Sequence, residues 1–231
     1  MENIKNVNLE NENKELKNSI ENLKKENLNL KEEIKEIKKI LEPIKQSIKD
    51  RANISAESVI MQENEFNLIH LAIKSRMNKE VKKLVKLYQD TVNGDGAINF
   101  HSKCDNIPNT LVIIKSAGNR RFGGFTSQTW ESNGKWKDDK NAFLFSLDKQ
   151  AIYSFKNNKK AILGNKENGP IFGSGCDIYI GNNPIQQKSS YTGEALSCCS
   201  FIFNRDKNAL SEDGKTKTFF VDEYEVFQVI F

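Results

Sequence analysis

Asn109-Thr110-Leu111-Val112-Ile113-Ile114-Lys115, followed by Arg121-Phe122-Gly123-Gly124-Phe125-Thr126, is the stretch that decides the fold. The unbroken apolar run Leu111–Ile114 follows Pro108 and reads as a buried strand. The second run reads as a strand whose paired glycines permit a bulge or a close backbone approach. Downstream, Ala142–Leu147 and Ala151–Phe155 look like successive strands joined at Asp148-Lys149-Gln150. Cys176–Ile180 alternates, and Phe201-Ile202-Phe203 and Phe219–Phe231 complete the set. In the last stretch Val221, Glu223, Glu225 and Phe227 share one face, and Phe220, Asp222, Tyr224 and Val226 the other. Neither face is cleanly apolar, which predicts a strand crossing or covering the edge of the sheet. Upstream, Asn93-Gly94-Asp95-Gly96 is a turn signal, and Leu84–Tyr88 fits either a helix extension or a first strand. Short strands separated by turns, without long helical stretches between them, predict an antiparallel β-sandwich.

The rest of the chain differs in kind. All 13 glycines lie between Gly94 and Gly214, and of 14 phenylalanines only Phe66 precedes residue 94. The front is charged and free of glycine. Residues 1–50 carry 11 Lys+Arg and 11 Asp+Glu, and the whole chain is +4. Residues 101–150 are the most basic block, at 8 against 5, with no dense basic run. That balance argues against a nucleic-acid binder, which concentrates its cations in a stripe. No stretch of about 18 apolar residues exists, so no membrane-spanning helix is expected. The N-terminus is too charged for a secretory signal, and a cytoplasmic protein is expected.

Within the front, Leu9, Leu16, Leu23, Leu30, Ile37 and Ile44 recur every seven residues. With these at heptad position d, position a holds Asn13, Ile20, Asn27, Ile34, Leu41 and Ile48. Apolar a and d positions form a coiled-coil seam, and Leu at d with Ile at a favours two parallel strands. Glu12, Glu26 and Glu33 at g would meet Lys17, Lys31 and Lys38 at e of a partner, three attractive pairs that set orientation more than energy. Pro43 falls at c and predicts a kink or break, ending the rigid seam near residues 41–50. Val59, Ile60, Phe66, Ile69, Ile73 and Met77 then recur at mostly helical spacing, with a wider apolar stripe that suits packing on the chain's own domain.

The back carries a family resemblance. In order come Phe100-His101-Ser102-Lys103-Cys104-Asp105, the opening stretch with Phe122, Gly123 and Gly124, then Trp130. Asn141–Asp148 follows with Phe143 and Phe145, then Gly169-Pro170-Ile171-Phe172-Gly173, Asp177-Ile178 and Tyr224-Glu225-Val226-Phe227. This ordered set, over about residues 58–231, resembles a TLDc domain and is especially similar to the expanded TLDc set of ciliates and other protists. The resemblance implies two antiparallel sheets packed as a sandwich and flanked by short helices. It also implies a role class: TLDc proteins are associated with resistance to oxidative stress, and several bind the vacuolar proton-pumping ATPase. No catalytic mechanism is settled for the family, and its members attach different N-terminal modules.

The residues offer little for catalysis. His101, Cys104 and Asp105 could be read as a nucleophile–base pair or half a metal site. A zinc site needs four ligands, or three plus water, and His70 is the only other histidine. A short helical segment is the simpler reading of His101. No Gly-x-Ser-x-Gly elbow occurs, and Gly173-Ser174-Gly175-Cys176 is not a phosphate loop but a sharp turn into the strand after it. Arg120-Arg121 reads as a solvated hairpin end. Among the four cysteines no Cys-x-x-Cys pair occurs, and the apolar setting of Cys198-Cys199 suggests at least one inert thiol. The expectation is a coiled-coil dimerisation helix (1–50), a linker (51–57) and a TLDc domain (58–231), acting without catalysis or cofactor. Its partners would be a second copy of itself and a larger assembly, the vacuolar ATPase or, alternatively, a cytoskeletal or ciliary structure.

Overall fold

The computed structural model describes residues 2–55, 58–156, 160–174, 176–193, 200–204, 206, 208–210 and 218–231; the side chains of residues 2–10, 12 and 47–55 are outside that description. The chain divides into two compact units, Met1–Asp50 and Arg51–Phe231. The first belongs to one helix, α1 (Glu2–Ser55), which continues through Pro43 and into the expected linker. The expected break is absent: proline removes one N–H from the helical ladder, and the bonds on either side carry the helix on. Of the seam residues, Leu9 and Ile48 have side chains outside the described set.

The second unit opens with a 3-10 turn (Glu63–Glu65) and α2 (Phe66–Met77). The helix is shorter than the apolar spacing predicts. Ser58 Oγ, held by Glu225, accepts the N–H groups of Ile60 and Met61, and this fixes the segment ahead of the helix outside helical geometry. After α2 comes β1 (Lys83–Gln89), so Leu84–Tyr88 is a strand. Two short helices follow, α3 (Asp90–Asn93) and α4 (Ala97–Cys104). Then come β2 (Thr110–Ser116), β3 (Arg121–Thr126), β4 (Lys135–Lys137), β5 (Phe143–Ser146), β6 (Ala151–Ser154) and β7 (Ile162–Gly164). The last five are β8 (Ile171–Phe172), β9 (Ile178–Tyr179), β10 (Ser190–Thr192), β11 (Thr218–Phe219) and β12 (Val221–Ile230).

Among the described residues these strands form two six-stranded sheets, ordered β1-β12-β2-β3-β5-β6 and β11-β10-β9-β8-β7-β4, with every strand pairing antiparallel. Mainly-β architecture with short helices is the fold class the sequence predicts. The opening stretch explains how the layers stack. Val112 and Ile114 join Phe172 and Ile178 of the other sheet in the inter-sheet core. Leu111 and Ile113 point the other way and pack with Phe125, Phe143 and Phe227 under Phe66, Ile69 and Ile73 of α2. The first sheet is therefore buried on both faces, which is why its strands read as unbroken apolar runs.

Three expectations need correction. The C-terminal strand does not cover an edge: β12 lies between β1 and β2, second in its sheet. Phe201-Ile202-Phe203 is not a strand, since only Phe201 forms a bridge, to Phe155. Cys176–Ile180 shrinks to Ile178–Tyr179, because Cys176 takes φ +51° and closes a turn on the Gly173 carbonyl.

Candidate functional site

The residue set singled out by sequence centres on α4. Its first turn is capped from elsewhere: Asn182 Oδ1 accepts the Ala97 N–H at 2.9 Å, and Gly96 precedes it at φ +137°. Ala97, Phe100 and Cys104 turn inward, and Phe100 meets Trp130 edge-on at 5.6 Å. Trp130 donates its Nε1–H to Thr110 Oγ1 at 2.9 Å inside the core.

His101 lies one helical turn before Asp105, and its Nδ1 is 2.7 Å from Asp105 Oδ1. The other carboxylate oxygen accepts Ser132 Oγ–H at 2.7 Å. Nε2 faces two backbone carbonyls, Asn165 at 2.8 Å and Asn168 at 3.0 Å. The ring therefore ties α4 to the loop between β7 and β8, and through Asp105 to the segment after Trp130. Both ring nitrogens face acceptors, so no lone pair is aimed at a substrate position, as a general base requires. Cys104 is fully buried, and burial, followed by the charge of Asp105, pushes its thiol well above its ordinary range. A reactive cysteine needs the opposite, an exposed thiol with a depressed pKa. Among the described residues no group of three His, Cys, Asp or Glu side chains is placed to hold a metal ion. His70 is buried in α2, with Nε2 3.1 Å from Glu80 Oε2.

The remaining motif positions are framework. Phe122, Phe143, Phe145 and Phe172 are core side chains with no exposed surface. A Cβ on Gly123 would lie 2.0 Å from the Val112 carbonyl oxygen, and one on Gly124 would lie 2.8 Å from Leu144 and Phe172. The register shows no bulge here, so close approach is what the pair permits. Gly169 donates its N–H to the Ile180 carbonyl. Gly173 has φ +76° and its Cβ would lie 1.9 Å from Asp177 Oδ2, the oxygen that accepts the N–H groups of Ser200 and Phe201. Glu225 is fully buried in β12, paired with Lys86 at 2.6 Å, and accepts Ser58 Oγ–H at 2.5 Å and the Val59 N–H at 3.1 Å. Of the fourteen motif positions all but Asp105 are buried. Cys198 and Cys199 lie outside the described residues.

This ordered framework on a two-sheet sandwich is matched by the profile of the TLDc domain over residues 54–230, well over half of the chain. The chain belongs to the TLDc family. No curated protein matches it.

Sequence reading missed two features of this TLDc domain. Arg121 is not a solvated hairpin end: it forks onto Glu65, at 2.9 and 2.7 Å, and reaches Asp148 at 3.0 Å, joining the turn before α2 to the start of β3 and to the turn between β5 and β6. The second is a buried acidic group at α3. Asp90 has no exposed surface; its Oδ1 accepts Tyr88 Oη–H at 2.5 Å, and Oδ2 has no hydrogen-bond partner among the described residues. Burial, reinforced by the charges of Asp95 and Glu223 against the Tyr88 bond, pushes its carboxyl up to about 7. Glu223 is tied down beside it, accepting the Thr91 N–H and hydroxyl and the Gln89 amide. The only sequence signal for these acids was the pair Glu223 and Glu225 alternating within an apolar strand.

Proposed function

We propose that this TLDc domain is a protein-interaction module that docks on a larger assembly and acts without catalysis of its own. One observation carries the reading: the residues shared with the family pattern are spent on the interior framework, and the best reactive constellation, His101 with Cys104 and Asp105, has its ring nitrogens and thiol committed to that framework. Family membership over residues 54–230 supports a stress-response role, with the vacuolar proton-pumping ATPase as the leading partner candidate. A cytoplasmic location fits that partner. No described helix is long and apolar enough to cross a membrane.

Capture of tagged full-length chain from lysate, read by mass spectrometry, tests the partner. Enrichment of pump subunits is expected, and reduced when Arg121→Glu loosens the domain. Enrichment of axonemal or cytoskeletal proteins without pump subunits would instead favour the second reading, a scaffold component, which the heptad repeat of α1 motivates.

A further inference from the structure

The longest unpartnered apolar surface among the described residues lies on α1. Leu16, Ile20, Leu23, Leu30, Ile34, Ile37, Leu41 and Ile44 are each between 42% and 63% exposed, and they occupy the two heptad positions that form a single stripe. The stripe is narrow, two positions in seven, which is the geometry of a helix-to-helix seam. A helix lying on a lipid surface would show a broad apolar face and a basic polar face. Here acids and bases balance at 11 each over residues 1–50.

Charge then selects the occupant. We infer that this seam is covered by a second copy of the chain, parallel and in register, with Asn27 facing Asn27 of the partner subunit. In that arrangement each g residue meets the e residue of the next heptad. Lys5–Glu10, Glu12–Lys17, Glu26–Lys31 and Glu33–Lys38 are all attractive, and Ser19–Lys24 and Ile40–Lys45 carry no repulsion. An antiparallel pair would set e against e. Lys17, Lys24, Lys31, Lys38 and Lys45 would then confront one another along the whole seam. The sequence thus combines attraction in one orientation with repulsion in the other. Asn13 and Asn27 fix the register. In the single chain Asn27 Nδ2–H is satisfied locally by the Leu23 carbonyl at 3.0 Å. Across an in-register seam two such amides can bond each other, whereas a slip of one heptad sets Asn27 against Ile20 or Ile34 and strands a polar group in an apolar layer. Leucine at four d positions and isoleucine at a select two strands over three.

The test uses the full chain. Light scattering is expected to give twice 26.4 kDa, and Ile34→Lys should return the mass to one chain while the thermal melt of the TLDc domain is unchanged. Asn27→Cys should form an interchain disulfide on mild oxidation, above the level of the wild-type chain with its own cysteines. A monomer at micromolar concentration, a trimer, or a dimer in which Asn27→Cys gives no crosslink beyond wild type would each overturn the inference.

Discussion

Asp90 shows how a single buried group sets a pH dependence. Folding lifts its carboxyl from an ordinary 3.8 to about 7. Between those values the folded chain holds a proton that the unfolded chain has released, so rising pH favours unfolding through this window, and the loss is complete above about pH 7. Asp90→Asn keeps the acceptor for Tyr88 and removes the titration. It should stabilise the domain at pH 8 by on the order of 2 kcal/mol and leave it little changed at pH 4. Denaturant melts of both proteins from pH 4 to 8 measure this, and parallel pH profiles would rule out Asp90 as the source. Gly123 presents a steric case. The atom a Cβ would strike is a backbone oxygen of the neighbouring strand, 2.0 Å away, and it cannot yield without opening the β2–β3 ladder. Gly123→Ala should cost more than about 3 kcal/mol in equilibrium unfolding, beyond the usual range for overpacking. Gly134, with nothing within 4 Å, should take alanine at only the cost of its positive φ.

At the scale of elements, β12 carries two acids and still lies inside its sheet. Glu225 is tolerated there because Lys86 of β1 neutralises it, and the segment ahead of α2 donates a hydroxyl and an N–H to it. The carboxylate joins three pieces of chain. Glu225→Ala leaves Lys86 facing an empty site and frees Ser58, so about 3–5 kcal/mol of stability should be lost. Hydrogen exchange at Val59, Ile60 and Met61 should accelerate first, because their anchor is the bond removed. Uniform acceleration over the whole domain with no early release at Val59 would contradict this anchoring role. Glu225→Gln should recover part of the loss, since an amide still accepts from Ser58 or Val59. Alternation in the sequence places Glu223 and Glu225 on one face, and with no partner in view it predicts a strand crossing or covering the edge of the sheet. The partner, Lys86, comes from a strand paired at the opposite end of the domain's sequence.

At the scale of the molecule, the two proposals meet. A parallel dimer sends two TLDc domains from the same end of one seam. If each domain docks on a multi-copy assembly, linkage raises apparent affinity by about 10²–10⁴-fold over a single domain. Ile34→Lys should therefore weaken binding to the immobilised assembly by that order. It should leave the one-to-one affinity of the domain for an isolated subunit unchanged, as measured by calorimetry. Equal loss in both assays would place Ile34 in the docking surface itself, while no binding by either protein would remove the docking reading and leave the dimer intact.

The sequence by itself determined the features that repeat at short range. Leu111–Ile114, the glycine-marked turns and the paired runs at 142–155 specified an antiparallel sandwich, because strand and turn propensities act over a few residues. The seven-residue spacing of α1 is equally local, and the parallel pairing we infer for it rests on charges in that same short-range pattern. Tertiary structure alone decided which strands are neighbours, and so which charges are buried. Ser58 and Glu225 are separated by 167 positions, and Gln89 and Glu223 by 134. No period or motif connects such residues; only the order of strands in the sheet does. For the same reason Arg121 read as a surface cation until Glu65 and Asp148 were folded against it. For His101 the short helical segment is what the sequence favours, and the carbonyls of Asn165 and Asn168 that close over its ring are what the fold adds.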